Sequence, residues 1–288
     1  MKKQIIVHLD PLNIQHDAVT YGVMLARKLD LPLLLYSVQS MMTVPVAVET
    51  GGQVLTTNPA MQPHDWSAKV AEKAKDYCEE IKRQYPRTTC EHELGTTGGA
   101  LVDKVKGLHR SLSQRDPYLL VMPKVSEHDW WNDLVGTVET TVAAEASCPV
   151  LFVPEGAELG GIGRVMYLAD EKSLQDYDYP GFNFLRDFSK KMDTKITVGF
   201  LGGELTNQRG YDVGAAMERL RQSLPFQGNH AFRFFAGMEA DELLTLAKIT
   251  STDIVAFPFR ESNVMSRFFD DEITRTLLLK ADSPVLVF

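Results

Sequence analysis

The sequence has no long apolar run and no cluster of basic residues. None of its apolar stretches approaches the roughly 20 residues that a membrane-spanning helix requires. Its 30 Lys and Arg residues are outnumbered by 38 Asp and Glu, the net charge is −8, and no Lys/Arg-rich segment occurs. Nucleic-acid binding depends on clustered positive charge that displaces the counterions of phosphates. The composition therefore predicts neither a membrane span nor a nucleic-acid partner.

Cysteine is also scarce. The three cysteines, Cys78, Cys90 and Cys148, are odd in number and lack the spacing of metal ligands. The seven histidines show no HxxxH or similar spacing either. The apolar run Ile5–Leu9, which follows the N-terminal lysines, is about five residues long, shorter than the roughly 7–15 of a signal peptide. We therefore expect a cytoplasmic protein with reduced cysteines and no bound metal.

The chain contains an internal repeat. Residues 123–153 match residues 258–288 without a gap, at a constant offset of 135, so that Pro123 corresponds to Pro258 and Ala146 to Ala281. Each copy has the pattern of a strand end, a long loop, a helix and a closing strand. The repeat predicts two domains of ordinary size. Their expected bounds are 1–154 and 164–288, joined by a polar, glycine-rich linker at 155–163.

Short apolar runs alternate with segments of helical periodicity in both halves. Continuously apolar runs of this length are typical of strands buried on both faces of a parallel sheet. The predicted strands are Ile5–Leu9, Leu31–Val38, Thr88–Leu94, Tyr118–Met122, Pro149–Val153, Arg164–Ala169, Ile196–Leu201, Ala231–Phe235, Asp253–Phe257 and Pro284–Phe288. The predicted helices cover about 18–29, 66–85, 100–112, 182–191, 211–223, 239–249 and 270–280. This alternation predicts an α/β fold of two tandem, doubly wound domains, each a five-stranded parallel sheet flanked by helices.

Two segments do not follow the alternation. Residues 39–65 contain prolines and Gly51-Gly52 and have no lasting period, which is typical of a disordered insertion or a functional loop. Gly95 to Gly99 (GTTGG) opens a helix, with Thr96 or Thr97 as its N-cap; a helix start of this kind either is merely capped or holds an anion.

The repeated loop resembles that of the universal stress proteins. Their signature is Gly, two residues, Gly, nine residues, then Gly-Ser or Gly-Thr, followed by a helix and a strand near Pro-Val-Leu. The corresponding residues are Pro123, Ser126 and Gly136-Thr137 in the first copy, and Pro258, Glu261 and Asp271-Glu272 in the second. The resemblance covers nearly the whole chain and implies a fold like that of the adenine nucleotide alpha hydrolases.

The resemblance also implies a nucleotide site, from which much has been lost. In nucleotide-binding members the glycines let backbone N–H groups approach the ATP phosphates, and an aspartate after the first strand faces the adenine. Here the expected contacts are Asp10, Ser126, Gly136 and Thr137, in the first domain only. Asp10 and its counterpart Asp170 equally suit a role in ending a strand. Proline has no N–H, and the acidic run Asp270-Asp271-Glu272 would repel a triphosphate.

The first copy of the loop also contains His128-Asp129-Trp130-Trp131. A His-Asp pair suggests a general base, but no motif places a nucleophile beside it. The tryptophans either fill the space of a nucleotide, contact a partner, or pack in the core.

By resemblance, the fifth strands of the two domains, Pro149–Val153 and Pro284–Phe288, pair inside one chain as an intramolecular pseudo-dimer, which the covalent link favours. We expect a non-catalytic stress-response or interaction protein with a degenerate nucleotide site, no required cofactor and a protein partner. The first alternative is a protein that binds ATP or AMP in the first domain. The second is a nucleotide hydrolase that uses His128 and Asp129.

Overall fold

The computed structural model describes thirteen parts of the chain. They are residues 3–10, 14, 16–39, 63–94, 97–106, 116–124, 142–143, 145–157, 161–169, 180–202, 230–236, 240–257 and 280–288. Most of the predicted 39–65 insertion and the predicted helix at 211–223 lie outside them. Within these parts, no helix is both long enough and apolar enough to span a bilayer.

The described parts contain ten strands and five helices whose bounds are described. The strands are β1 (Lys3–Leu9), β2 (Leu33–Gln39), β3 (Thr88–Leu94), β4 (Asp116–Pro123), β5 (Val150–Val153), β6 (Arg164–Ala169), β7 (Lys195–Gly202), β8 (His230–Ala236), β9 (Ile254–Phe257) and β10 (Val285–Val287). The helices are α1 (His16–Leu29), α2 (Pro63–Gln84), α3 (Thr97–Val105), α4 (Pro180–Met192) and α5 (Ala240–Ile249). The predicted α/β class is confirmed.

All ten strands belong to one sheet, in the order β3-β2-β1-β4-β5-β10-β9-β6-β7-β8. Read from the opposite edge of the sheet, the last five strands have the same order as the first five. Neighbouring strands within the first half are parallel. Neighbouring strands within the second half are parallel as well. β5 and β10 are antiparallel, with Leu151 opposite Leu286. We call this β5–β10 pairing the seam.

Helix α1 shows how the sequence produces one of these elements. Its buried positions, which include Ala18, Leu25 and Leu29, recur at the spacing of one helical face. Asp17 lies in its first turn and Arg27 and Lys28 in its last, where each charge is favourable to the helix dipole. The helix ends at Asp30, whose φ is 52°.

Side chains from both halves form one hydrophobic core on each face of the sheet. The first core contains Val7 and Leu25 from the first half with Leu185 and Phe188 from the second. The second core contains Ile6, Leu101 and Phe152 together with Leu243 and Val285. Alternate residues of β1 therefore enter different cores, as the period of a strand requires. Because each core crosses the seam, the halves share their apolar interior.

Polar and aromatic contacts also join the halves at the start of β4. Tyr118 donates a hydrogen bond to Asp187 of α4 at 3.1 Å, and Lys191 lies 3.0 Å from the same carboxylate. The ring of Phe184 lies 5.0 Å from that of Tyr118 and 5.7 Å from that of Phe288. Burial raises the pKa of Asp187, but the hydrogen bonds from Lys191 and Tyr118 outweigh it and lower the pKa below its ordinary value. This carboxylate is therefore ionised at neutral pH.

The expectation that all cysteines are reduced is wrong for two of them. Cys78 of α2 and Cys90 of β3 form a disulfide, with Cα atoms 6.3 Å apart. The reason is tertiary: Cys78 lies on the buried face of α2, which packs on the sheet beside β3. Cys148 is the free cysteine, and burial raises the pKa of its thiol to about 12. It is a small buried residue.

The start of α3 also differs from the sequence prediction. The helix begins at Thr97, before the predicted bound of about 100, so Gly98 and Gly99 lie in its first turn. Glycine is costly inside a helix. In this short helix the burial of Ala100, Leu101, Val102 and Val105 offsets that cost.

Candidate functional site

The carboxyl ends of β1 and β4 form the place where a ligand is expected in a sheet of this order. From β1 the chain proceeds to β2 and β3 on one side, and then crosses to β4 on the other side of β1. Such a switch point opens a crevice at the carboxyl ends of the two strands. Asp10 follows β1 directly, and Pro123 and Lys124 stand at the end of β4.

Asp10 is half-buried at this position. Its place is therefore consistent with either role considered for it, a strand end or a ligand contact. The other predicted contacts, Ser126, Gly136 and Thr137, lie outside the described residues. So do His128, Asp129, Trp130, Trp131 and Asp170, and the second-copy residues Pro258, Glu261, Asp271 and Glu272.

His8 is a buried, neutral side chain two residues before Asp10. It lies in β1 opposite Tyr36 of β2 and is 6% exposed. Burial lowers its pKa to about 4, although a backbone hydrogen bond at Tyr36 and the charge of Asp10 both act in the opposite direction. Its Nδ1 atom is buried without a hydrogen-bond partner. At neutral pH His8 therefore brings no positive charge to the crevice.

Pro123 ends β4 and is part of the sheet. It lies opposite Val153 of β5, so the strand continues one residue further than the sequence predicted. A proline at a strand end is tolerated because no ladder hydrogen bond from its nitrogen is needed there. At the position of the first signature glycine, the crevice therefore has no N–H to offer an anion.

Lys124 contacts the other half of the molecule. Its backbone N–H donates to the carbonyl of Val153 at 2.7 Å, and its Nζ donates to the carbonyl of Ala281 at 2.6 Å. The side chain lies between the halves, since the residue is only 7% exposed. Ala281 directly follows the last described helical residue, Lys280, where a carbonyl favours a cation. The ammonium group nearest the end of β4 is therefore anchored at the second half.

A polar cluster lies on β2, β3 and α3, on the other side of β1 from β4. The hydroxyl of Tyr36 donates to Glu93, and the ammonium of Lys104 pairs with Glu91. Lys104 also lies over the Tyr36 ring, 5.3 Å from its centroid, and is almost fully buried. Burial, and then the hydrogen bond and charge of Glu93, raise the pKa of Tyr36. Two carboxylates against one ammonium make this cluster unfavourable for a phosphate.

Neither His8 nor Lys124 was identified as a site residue from the sequence. In the sequence, His8 is one of seven histidines that lack the spacing of metal ligands. Its neutrality depends on burial, which the sequence does not show. Among the described residues, no group of three or more His, Cys, Asp or Glu side chains could hold a metal ion.

The fold is similar to that of several solved proteins, although the sequence matches no protein-family model and no curated protein. A universal stress protein from Archaeoglobus fulgidus is 13% identical with a TM-score of 0.68, over 98% of this chain and 95% of that chain. A protein of unknown function from Pseudomonas aeruginosa is 12% identical with a TM-score of 0.63, over 100% and 92%.

The cytoplasmic domain of a prokaryotic cation chloride cotransporter is also similar. It is 11% identical with a TM-score of 0.51, over 100% of this chain and 95% of that domain. The likeness to the Archaeoglobus protein spans both halves of both chains. The chain therefore has the universal stress protein fold.

Proposed function

We propose that the chain is a non-catalytic stress-response or interaction protein whose nucleotide crevice is degenerate. One observation carries the proposal. At the switch point of the first half, Pro123 contributes no N–H, His8 is neutral, and the ammonium of Lys124 is anchored on Ala281. Phosphate sites depend on convergent N–H groups and cations. None of these three residues supplies such a group, and the carboxylate of Asp10 is the expected adenine contact.

The cost to nucleotide affinity follows from the missing contacts. Each charge-assisted hydrogen bond to a phosphate contributes about 1.5–3 kcal/mol. Loss of two glycine positions, at Pro123 and Ser126, would weaken binding by roughly 10²–10⁴-fold, at tenfold per 1.4 kcal/mol. In the second half, the acidic run Asp270-Asp271-Glu272 adds repulsion. We therefore infer weak binding or none in the first half and none in the second.

Titration calorimetry of the full chain with Mg-ATP and with AMP tests this proposal. The expected result is no saturable heat at micromolar nucleotide. Micromolar binding at one site per chain that Asp10→Ala abolishes would contradict it and support the alternative of a first-half nucleotide site. Binding at two sites per chain would contradict it more broadly.

A gain-of-function pair of variants makes the test more specific. Pro123→Gly with Ser126→Gly restores both glycines in the half that retains Gly136, Thr137 and Asp10, and should recover nucleotide binding. The matched control, Pro258→Gly with Glu261→Gly, restores the same positions beside the acidic run and should not. If neither variant binds, the crevice is blocked by something other than the lost glycines, and Trp130→Ala and Trp131→Ala are the next substitutions.

The absence of catalysis is part of the proposal. Release of phosphate from Mg-ATP by the purified chain should not exceed the rate in buffer. A rate above it that falls with His128→Ala or Asp129→Ala, and not with His92→Ala, would support the hydrolase alternative.

An interaction role is supported by the similar cytoplasmic domain of a prokaryotic cation chloride cotransporter. A chain with this arrangement of strands is thus also found as one module of a larger protein. We place the present chain in the cytoplasm with a protein partner, joined internally as a pseudo-dimer through the seam. Chemical crosslinking in cells, followed by mass spectrometry, should recover a reproducible protein partner that charge reversals on the surface remove.

A further inference from the structure

We propose that Cys78 and Cys90 form a reversible disulfide that controls how tightly α2 and the edge strand β3 are held. The proposal is independent of the nucleotide crevice. It depends on where the two cysteines lie, on what β3 carries, and on the place of β3 at one end of the described sheet.

The disulfide closes a short unit at one end of the sheet. Twelve residues separate the cysteines, and the segment between them contains the end of α2 and the turn at Tyr85–Arg87. β3 is the first strand of the ten-stranded order, and among the described strands it pairs with β2 alone. A strand with one neighbour opens more readily than an interior strand. The disulfide therefore ties an edge strand to the helix that covers it.

The two sulfurs differ in accessibility. Cys78 is 2% exposed and lies within the first core, whereas Cys90 is only partly buried against it. Thiol exchange requires access to one of the sulfurs. An incoming thiolate would therefore reach Cys90 and displace Cys78, and the reverse is disfavoured.

The disulfide is not needed to supply a core. Small domains depend on such bonds because they bury too little apolar surface. Here the covered face of α2 already buries Val70, Tyr77, Ile81 and other side chains. The folded chain should therefore survive reduction, which a reversible pair requires.

Opening of β3 would change the polar cluster on β2, β3 and α3. β3 carries Glu91 and Glu93, whose carboxylates bind Lys104 of α3 and Tyr36 of β2. Reduction would thus act on this polar cluster through the strand that positions it.

A small-molecule dithiol can reduce the Cys78–Cys90 disulfide by two steps of thiol–disulfide exchange. One thiolate of the dithiol attacks Sγ of Cys90, the protein S–S bond breaks, and Cys78 leaves as a thiolate and takes up a proton. The second thiolate of the dithiol then attacks its own bound sulfur, and Cys90 leaves and is protonated. Two electrons pass to the protein, and the dithiol is oxidised to a cyclic disulfide.

Thiol counting is the first test. After denaturation without reductant, an alkylating reagent should label one cysteine per chain, Cys148, and after treatment of the folded chain with dithiothreitol it should label three. Three labelled cysteines in a chain purified in air and then exposed to oxidised glutathione would overturn the proposal. So would a single labelled cysteine after dithiothreitol treatment of the folded chain.

Paired variants test the direction of attack. In Cys78→Ser, the remaining Cys90 should form a mixed disulfide with oxidised glutathione in the folded state. In the matched variant Cys90→Ser, the buried Cys78 should form it at least tenfold more slowly. Equal rates in the two folded variants would contradict the assignment of Cys90 as the accessible sulfur.

Hydrogen exchange tests the structural consequence. A disulfide that closes a loop of this length lowers the chain entropy of the open state. It therefore restrains opening by on the order of 10²-fold. Reduction should therefore speed amide exchange in β3 by up to that factor. The opposite edge strand, β8, contains no cysteine and is the internal control, since its exchange should not change. Unchanged exchange in β3 would show that the disulfide controls nothing at this edge.

Discussion

His8 is a side chain whose protonation opposes folding. In the folded chain its pKa is about 4, whereas an unfolded histidine titrates near 6.5. The unfolded state therefore binds more protons between these two values, and the free energy of unfolding decreases as the pH falls from 6.5 to 4. The decrease due to His8 is about 3 kcal/mol.

Urea unfolding at pH 7.5 and at pH 4.5 measures this effect. Wild type should lose more stability between the two values than His8→Met, by about 2–3 kcal/mol, because methionine does not titrate. His92→Met, on β3, is the comparison: burial lowers the pKa of His92 too, but less than that of His8, so this variant should remove only a smaller part of the loss. Parallel losses in wild type and His8→Met would show that His8 is not buried as the structure has it.

Gly22 is required by a close approach of α1 to β1. A Cβ atom at this position would fall well inside contact distance of Cγ2 of Val7, a stiff β-branched side chain that is fully buried. Gly22→Ala should destabilise the chain by about 1–3 kcal/mol, even though alanine is the better helix former. Thermal unfolding of the double variant Gly22→Ala/Val7→Ala checks the cause. The second substitution should cost less in the Gly22→Ala background than in wild type.

The residues at the crevice show which features of a site can be predicted from sequence. Asp10 could be placed because an aspartate after an apolar strand is a local pattern. The burial of Lys124 could not, because its partner Ala281 lies 157 positions away. The disulfide could not be predicted either, although only 12 residues separate the cysteines, because a helix residue and a strand residue meet only after α2 has packed.

At the scale of elements, β10 is the most consequential strand in the sheet. It lies between β5 and β9, and its three residues are fully buried. Deletion of Val285 to Phe288 should expose the edges of both neighbours and cause aggregation or gross loss of stability. Size-exclusion chromatography and thermal unfolding measure this outcome.

A smaller change at the same end is the control. Phe288→Ala removes the aromatic contacts with Tyr167 and Phe184 but leaves β10 in the sheet. This variant should remain monodisperse with a moderately lower melting temperature. If the chain that lacks Val285 to Phe288 is soluble and melts like wild type, the seam does not contribute to stability.

Bounds of elements were predictable where local signals are strong. The predicted bounds of β3 and β6 agree with the structure, because a proline before β3 and a glycine before β6 mark their starts. The N-cap of α3 is also predictable, at Thr96 or Thr97, but the predicted bound of about 100 is too late, because glycine is a poor helix former. The helix forms because the residues after its two glycines are buried. Helix propensities contain no information on burial.

At the scale of the molecule, the shared cores predict that the halves unfold together. The three tryptophans, Trp66, Trp130 and Trp131, all belong to the first half. Phe188 belongs to the second half and is almost fully buried in the core that both halves share. Phe188→Ala should cost about 3–5 kcal/mol.

Tryptophan fluorescence distinguishes the two possibilities. If the halves are one cooperative unit, the midpoint reported by fluorescence falls in Phe188→Ala and coincides with that from circular dichroism. If the halves unfold independently, the fluorescence midpoint stays at its wild-type value, because the probes lie in the unmutated half.

The seam has a consequence for protein synthesis. Leu151 and its partner Leu286 are 135 residues apart in the chain, so β10 is made well after β5. At about 5–20 residues per second, a ribosome needs roughly 7–30 s to pass from one to the other. Throughout that interval β5 is an apolar strand with one open edge. The nascent chain therefore depends on a chaperone, or on the speed of translation, until β10 has emerged.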